Sequence, residues 1–375
     1  MRHSIFSVTA LLLLAAPSSG DSPVACDPVD QAFRTSTLPL AVLASSGPGV
    51  ETSFRVFSRT QEIGPDSIFD IASMTKAITS TAVMQLVEAG RIDLDAPVST
   101  YLPHLDELEI LNEDLSTRPA TVPITMRHLL THTAGFGYFF NSPRIARDLG
   151  REPGQEGWPP PEVIPADDHD WGFGGLQPRR VFEAGETWHY GRNLGIAGRV
   201  VEAVSGMDLD TYFKTRIFDP LNMNRSGYNL PPDLAAQRIP LMVREPSTGV
   251  FLPLPPTRTE RVERFYGGGG LLSTPRDYLR FLTCLARGGE LDGHRILSEA
   301  SVEEFFTNQL PPGMTINHRN SEQTRRGADD AGRQGREIHP SANPDLHRAV
   351  SRRDRRSDRD RSRRLGVCGR RGAGR

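Results

Sequence analysis

The chain has 375 residues, of which 37% are hydrophobic and 24% are charged, and this length fits one large globular domain or two smaller ones. Its formal net charge of −2 conceals an uneven distribution, because residues 316–375 carry 17 arginines against 8 acidic residues and leave a net −11 for the rest. Three cysteines without CxxC or Cys/His spacing argue against a disulfide framework and against a zinc site of that type.

Residues 1–20 have the pattern of a secretory signal peptide. Arg2 provides a positive start, the apolar run IFSVTALLLLAA follows, and small residues stand before position 21. The apolar run is too short to span a bilayer, so we expect a secreted or periplasmic protein without stable membrane insertion. Cys26 lies far from the apolar run, which makes a lipoprotein the less favoured alternative.

The next segments predict two strands and a helix. LPLAVLASSG and TSFRVFSRT are apolar, β-branched runs separated by a Gly/Pro turn, and they predict strands. A helix is predicted to start near Ser73 and to end at Gly90. Its apolar face consists of Ile78, Val83, Leu86 and Val87.

Helices are predicted to dominate the middle of the chain. One extends from Thr125 to Gly135, and two more lie in NLGIAGRVVEAVSG and DLDTYFKTRIFDPLNM. Residues 137–180 are rich in Gly, Pro and Trp without periodicity, which indicates a long surface excursion. FYGGGGLLSTPRDYLRFLTCLARGG then combines a glycine-rich strand edge with a helix, in which Cys284 is expected to be a buried thiol. Strands at both ends and helices between them predict an α/β fold.

The sequence IASMTK places Ser73 three residues before Lys76, and residues three apart share a helix face. A serine hydroxyl is a weak nucleophile until a base removes its proton. A desolvated lysine can lose its own proton near neutral pH, whereas arginine cannot. The composition supports this interpretation, because only two of the 44 basic residues are lysines, Lys76 and Lys214.

The same motif has a simpler explanation. A serine three residues before a lysine arises easily by chance, and a serine at a helix start is often a cap. From Ser73 and Lys76 alone, a catalytic pair and an ordinary helix start are equally open.

Five blocks occur in order along the chain: IFDIASMTKAITSTAVMQLVEAGRIDLDAPVSTYLP, ITMRHLLTHTAGFGY, FEAGETWHYGRNLGIAGRVVEAVSG, IFDPLNMNRSGY and GGGGLLSTPRDYLRFLTCLARGGELDGHRILS. Together they resemble the serine β-lactamase-like superfamily of class C β-lactamases, penicillin-binding DD-peptidases and related esterases. The resemblance implies a β-lactamase/transpeptidase-like α/β fold, an antiparallel sheet flanked by helices, with a mainly helical region at about 100–255. We assign this domain to residues 28–315.

The family's chemistry implies that Ser73 attacks an ester or amide carbonyl and forms an acyl-enzyme, which water or another acceptor then resolves. Tyr190, in TWHYGRN, matches the tyrosine of the family's second motif. Lys76 would either take the serine proton itself or hold Tyr190 as a phenolate. The resemblance implies no metal and no cofactor.

Three further residues are expected to bind substrate. Arg192 stands where class C β-lactamases have an asparagine, which favours an esterase or another acyl substrate over a β-lactam; a merely solvated arginine is the alternative. Trp188 either packs in the core or forms a wall of the pocket. Gly268 belongs to a GGGG run that resembles the family's strand-to-helix segment beside the site.

The family's third motif has no counterpart in the sequence. After Met314 there is no Lys-Thr-Gly or His-x-Gly triplet, which in the family lies on a strand that contributes one oxyanion N–H. Residues 316–375 are instead arginine-rich, and their composition predicts disorder. We expect the last strands of the sheet to be missing, as a frame change would cause. Because one oxyanion donor is typically worth about 10²–10³ in turnover, the chain should be poorly soluble or nearly inactive.

The histidines of HLLTH are spaced like a zinc pair. His128 and His132 are four residues apart on the predicted helix, but the glutamate of HExxH is absent, so we predict structural histidines. The acidic stretch ADDHD at residues 166–170 is expected to be solvated surface.

These observations predict an exported serine hydrolase that acts on a small-molecule ester, amide or peptide substrate, with esterase-like activity favoured. A β-lactamase or DD-peptidase is one alternative, and a catalytically impaired remnant or binding module is the other. We expect no metal, no cofactor and no nucleic-acid partner.

Overall fold

The computed structural model describes residues 28–47, 50–150, 179–245, 248–254 and 261–316 of the chain. All of them belong to one compact unit. The predicted signal peptide, the ADDHD stretch and the arginine-rich tail after Ile316 lie outside the described residues. The predictions for those segments, including the missing last strands, and the domain boundaries therefore stay predictions.

A short helix and a β-hairpin open the described part of the chain. Helix α1 (Pro28–Thr35) precedes strands β1 (Leu40–Gly47) and β2 (Val50–Ser58). The two strands pair in antiparallel register with Leu40 opposite Ser58. Both strands that the apolar, β-branched runs predicted are confirmed.

Helix α2 (Thr75–Glu88) runs through the middle of the core. Three residues of its predicted apolar face are buried, with Ile78 and Val83 fully inaccessible to solvent, and Val87 is partly buried. The opposite side is also largely covered, because α2 packs against α5 (Asn193–Ser205). The chain leaves the helix through Gly90, whose φ of +65° is a left-handed value that glycine adopts without strain.

A short strand pair brings the start of α2 to the glycine-rich stretch. Strand β3 (Phe69–Asp70) pairs antiparallel with β8 (Leu272–Ser273), and the Ile71 N–H donates to the Leu271 carbonyl at 3.0 Å. The four glycines immediately before, residues 267–270, therefore run past the first turn of α2; we call them the glycine segment.

After β8, the chain forms helix α8 (Pro275–Ala286), which packs against β1. Thr274 caps this helix by accepting from the Asp277 N–H at 3.1 Å. Cys284 lies on its inner face with no exposed surface, and burial raises the pKa of the thiol to about 11. The predicted buried thiol is confirmed.

The remaining elements are short. They are 3₁₀ turns at Ala72–Met74, Val98–Thr100 and Pro103–Glu107; a π-helical turn at Lys214–Phe218; helices α3 (Met126–Leu130), α4 (Pro143–Asp148), α6 (Leu209–Phe213), α7 (Pro232–Ala235) and α9 (Glu299–Phe306); and the antiparallel pairs β4 (Glu109–Leu111) with β5 (Thr117–Pro119), β6 (Met242–Arg244) with β7 (Phe251–Pro253), and β9 (Glu290–Leu291) with β10 (His294–Arg295). Helices and strands together confirm the predicted α/β class.

Two predicted helices end earlier or change form. The helix expected to reach Gly135 ends at Leu130, because His132 turns to a left-handed φ of +60°. The helix in DLDTYFKTRIFDPLNM becomes π-helical at Lys214, where the hydrogen bonds lengthen to i→i+5 spacing. In both places apolar residues continue past the helix, so periodicity alone extended it too far.

The prediction of a surface excursion at residues 137–180 is wrong for its first part. Phe139 and Ile145 are at most 6% exposed, and with Val181 and Phe182 they form a second, smaller apolar cluster. Phe139 lies on irregular backbone and Ile145 in the six-residue helix α4, which is too short to show a helical period in the sequence. Residues 151–178 lie outside the described residues.

Gly195 of α5 lies in close contact with Tyr266, the residue directly before the glycine segment. A Cβ at Gly195 would lie 2.1 Å from the Tyr266 ring. We expect Gly195→Ala to lower the free energy of unfolding by about 1–3 kcal/mol through overpacking, although alanine is the better helix former. Chemical denaturation measures the change. Gly64→Ala, where the added Cβ meets nothing within 4 Å, is the control; equal losses in both variants would contradict the packing argument.

Candidate active site

Ser73 lies in the 3₁₀ turn directly before α2, with its side chain exposed. The preceding Ala72 takes a φ of +42°, a value that is uncommon for residues other than glycine. Neither the turn nor α2 has a side-chain cap hydrogen bond, so the alternative that Ser73 is a helix cap is wrong. Its hydroxyl instead lies within hydrogen-bond distance of two other functional groups.

The first is the amine of Lys76, in the first turn of α2. Its Nζ lies 3.1 Å from Ser73 Oγ and donates to the Gly268 carbonyl at 2.6 Å. The side chain is half-buried between α2 and the glycine segment, and this desolvation lowers the pKa of the amine from 10.5 to about 7. A large fraction of Lys76 is therefore uncharged at neutral pH, with a lone pair available on the side of Ser73.

The second is the phenol of Tyr190, which donates to Ser73 Oγ at 2.7 Å. Burial raises the pKa of Tyr190 above its usual value, and the hydrogen bond to Ser73 opposes this rise only in part. The phenol therefore keeps its proton at neutral pH. At neutral pH the pKa shifts of the two groups are therefore consistent with a neutral Lys76 amine beside a protonated Tyr190.

Close packing fixes the glycine segment beside Lys76. Thr79, fully buried on α2, donates its hydroxyl to the Gly267 carbonyl at 2.7 Å. A Cβ at Gly267 would lie 2.4 Å from the Leu194 carbonyl oxygen, so only glycine fits there. Gly268, expected to bind substrate, has its carbonyl oxygen on the Lys76 amine.

The loop that carries Tyr190, residues 188–192, is called the tyrosine loop below. Asn141 holds it from one side, because its Nδ2 donates to the Tyr190 carbonyl at 2.7 Å while its Oδ1 accepts from the Tyr138 N–H at 2.9 Å. His189 is 2% exposed, and burial lowers the pKa of its ring to about 4, so it stays neutral.

The other two residues expected to contact substrate flank Tyr190. Trp188 is 6% exposed and stacks on Tyr190 with ring centroids 6.4 Å apart, so it packs behind the tyrosine. Arg192 is 7% exposed at the start of α5, so the alternative of a solvated arginine is wrong. Burial raises the pKa of Tyr138 well above its usual value, and the charge of the neighbouring Arg192 opposes that rise.

The two histidines of HLLTH have different surroundings. The predicted helix start at Thr125 is confirmed, and Thr125 caps α3 by accepting from the His128 N–H at 3.2 Å. His128 Nδ1 in turn accepts from the Thr125 N–H at 3.2 Å. His132 lies beyond the end of the helix, and its ring centroid is 4.8 Å from that of Tyr190. The expectation that both histidines share one helix is wrong.

Neither a metal cluster nor a membrane span is found in the described part of the chain. Its His, Cys, Asp and Glu side chains form no group of three or more that could hold an ion. None of its helices is both long enough and apolar enough to cross a bilayer.

Two tyrosines near the site were not singled out from the sequence. The hydroxyls of Tyr138 and Tyr266 lie 3.1 Å apart, and the Tyr138 ring centroid is 5.6 Å from that of Tyr190. Both residues lie in or beside the ordered blocks, next to a glycine in GFGY and in FYGGGG. An aromatic residue next to a glycine at the edge of a sequence block was the signal that could have identified these two tyrosines.

Comparison with family models identifies the fold. The model described as Beta-lactamase matches residues 31–333, which is most of the chain. The chain belongs to the Beta-lactamase family. The predicted β-lactamase/transpeptidase-like α/β fold is thereby confirmed, and Ser73, Lys76 and Tyr190 meet within it.

Curated relatives of this Beta-lactamase family member include enzymes that handle acyl groups. Acyltransferase calJ of Penicillium decumbens is 34% identical over 254 residues, which cover 65% of this chain and 57% of calJ. Lovastatin esterase of Penicillium rubens is 32% identical over 273 residues, or 68% of this chain and 63% of the esterase. The matched part of the chain thus spans less than two thirds of either relative's length.

A solved structure agrees with these relatives. The unliganded simvastatin synthase from Aspergillus terreus superposes with a TM-score of 0.62 at 27% identity, covering 80% of this chain and 73% of the synthase.

Thr79→Val tests how the glycine segment of this Beta-lactamase family member is held. The substitution keeps the shape but leaves the buried Gly267 carbonyl without the Thr79 hydroxyl, so we expect a loss of about 1–3 kcal/mol in the free energy of unfolding. Thermal or urea denaturation measures it. Thr81→Val is the matched control, since Thr81 is equally buried but donates to the Ala77 carbonyl of its own helix. A larger loss in Thr81→Val would contradict this account.

Proposed function

We propose that this chain is a serine-dependent acyl-transfer enzyme that acts on a small ester, with Ser73 as nucleophile, Lys76 as general base and Tyr190 as proton donor. The observation that carries the proposal is the position of Ser73 Oγ, 3.1 Å from the Lys76 amine and 2.7 Å from the Tyr190 hydroxyl. Nucleophile and base within hydrogen-bond reach, with the base held by a third group, is the arrangement that activates a serine.

The proton path follows from the hydrogen bonds. The neutral amine of Lys76 donates one N–H to the Gly268 carbonyl, and this hydrogen bond fixes the position of Nζ. The lone pair of Nζ then takes the Ser73 proton. Ser73 Oγ then bonds to the carbonyl carbon of the ester. The tetrahedral intermediate expels the alcohol as the C–O bond breaks, and the leaving oxygen receives a proton from Tyr190, which is replenished by the Lys76 ammonium. Water or an alcohol then resolves the acyl-enzyme by the reverse sequence.

The Ser73 N–H lies in the first turn of a helical segment, where amides lack intrahelical acceptors, and it supplies one oxyanion donor in this proposal. The sequence offers no third motif for the second donor. We therefore expect acylation by a reactive ester to persist while turnover is slow.

An ester substrate is favoured over a β-lactam or a peptide. The relative named lovastatin esterase supports an ester, and the relative named acyltransferase calJ supports the transfer of an acyl group. The buried Arg192 at the position of the class C asparagine supports the same choice. Hydrolysis of a chromogenic cephalosporin but not of a short p-nitrophenyl ester would contradict it.

The second candidate is a non-catalytic remnant that binds ligands beside Ser73, and the absent third motif favours it. Labelling of the purified chain with a fluorophosphonate distinguishes the two. We expect covalent label on Ser73, located by peptide mass spectrometry and absent from Ser73→Ala. Ser80→Ala, seven residues further along in α2, is the control and should label normally. A folded sample without label would support the remnant.

The rate of Ser73 acylation should rise with pH through about 7 and then reach a plateau, because the reactive form is the neutral Lys76 amine, whose pKa is lowered to about 7. Lys76→Arg should remove this limb and slow acylation by about 10²–10⁴, since arginine keeps its proton. The pH profile of fluorophosphonate labelling measures both effects.

Lys214→Arg is the matched control for this experiment, because Lys214 is the other lysine and forms an exposed ion pair with Asp219. Its profile should equal that of the unsubstituted chain. A flat profile in the unsubstituted chain would exclude Lys76 as the base.

A further inference from the structure

The tyrosine loop rests on His132. The backbone carbonyl of His132 accepts from the His189 N–H at 2.8 Å, just before Tyr190. The left-handed φ of +60° at His132 turns the residue so that its carbonyl and its ring both face this loop. One residue therefore contacts the loop through main chain and side chain together.

The ring of His132 contacts the other side of Tyr190. Its Nδ1 lies 3.3 Å from the Gly191 N–H, which donates to it, and 2.8 Å from the Asn193 amide nitrogen. A backbone N–H can only donate, so Nδ1 must hold its lone pair, and the ring hydrogen of neutral His132 lies on Nε2. A hydrogen on Nδ1 would face the Gly191 N–H and displace the loop.

The loop has little freedom to compensate for such a displacement. A Cβ at Gly191 would lie 2.1 Å from the Phe136 carbonyl oxygen, so the backbone there is already in close contact. The His132 ring also packs on Tyr190 and Trp188, with centroid distances of 4.8 Å and 6.0 Å. Moving His132 would therefore move the Tyr190 ring.

We propose that His132 is a positioning residue, whose Nδ1 lone pair and backbone carbonyl set the distance between the Tyr190 hydroxyl and Ser73. The inference rests on the proposed function, because it gives His132 a part in acylation through Tyr190. The second histidine of HLLTH would thus act neither as a metal ligand nor as part of helix α3. A displacement of about 1 Å in such a group can cost about 10²-fold in rate.

Two substitutions separate the acceptor from the bulk of the side chain. Asparagine places its Oδ1 near the position of Nδ1 and tolerates left-handed φ, whereas glutamine reaches the position of Nε2. We expect His132→Gln to slow fluorophosphonate acylation of Ser73 by about 10- to 100-fold, and His132→Asn to restore a rate close to that of the unsubstituted chain. His128→Gln, which alters only the α3 cap, should leave the rate unchanged.

A double-mutant cycle tests whether the effect passes through the tyrosine. If His132 acts through Tyr190, His132→Gln should slow acylation little further once Tyr190→Phe has removed the hydroxyl. A merely structural histidine would give the same loss in both backgrounds. Rates are normalised to the folded fraction found by circular dichroism.

A spectroscopic measurement makes the test independent of activity. With 3-fluorotyrosine at position 190, the ¹⁹F signal should shift in His132→Gln and remain in place in His128→Gln. If the unsubstituted chain does not label at Ser73, the proposed function is wrong, and the ¹⁹F comparison still decides the inference. Unchanged labelling and an unchanged ¹⁹F signal in His132→Gln would overturn it.

The unsubstituted chain provides a last measurement should His132→Gln not fold. In a ¹⁵N spectrum of histidine-labelled protein, His132 should show an unprotonated Nδ1 and a protonated Nε2. A hydrogen on Nδ1 would overturn the inference, because Nδ1 could then not accept the hydrogen bond from the Gly191 N–H.

Discussion

The contact between the Lys76 amine and the Gly268 carbonyl is the constraint on which the site depends. It joins the first turn of α2 to the glycine segment and so takes the amine out of water. Desolvation then favours the neutral amine, and the same geometry leaves Nζ 3.1 Å from Ser73 Oγ. Each neighbour supports this contact: Thr79 holds Gly267 from α2, and Tyr266 packs over Gly268.

Keeping Lys76 neutral opposes folding. The pKa of its amine falls from 10.5 to about 7 in the folded chain, so the unfolded chain binds more protons between these values. This group's contribution therefore makes folding more favourable as pH rises from about 7 to about 10.5, and its penalty is fully present below about 7. The buried face of α2 offsets that penalty, with Ile78 and Val83 at zero exposure.

The sequence predicted what periodicity and ordered motifs encode: the first hairpin, the central helix up to Gly90, the helix start at Thr125 and the meeting of Ser73 with Lys76 and Tyr190. Errors came where backbone turns without a composition signal. His132 is a non-glycine residue with a left-handed φ, and α3 ends just before it. The apolar periodicity had predicted that this helix continues to Gly135. Phe139 is buried from irregular backbone and Ile145 from a helix of only six residues, and neither segment shows a period in the sequence. The Tyr138–Tyr266 contact joins blocks whose proximity depends on the tertiary fold.

The Lys76–Gly268 contact also orders events during folding, because its partners are 192 residues apart in the chain. Such a distant contact closes later than local contacts, because the entropy of ordering the long intervening segment opposes it. A chain with α2 formed but the glycine segment undocked would leave the amine in water, protonated at neutral pH. Ser73 would then lack its base, so the nascent chain would not acquire an activated nucleophile until the long-range packing is complete.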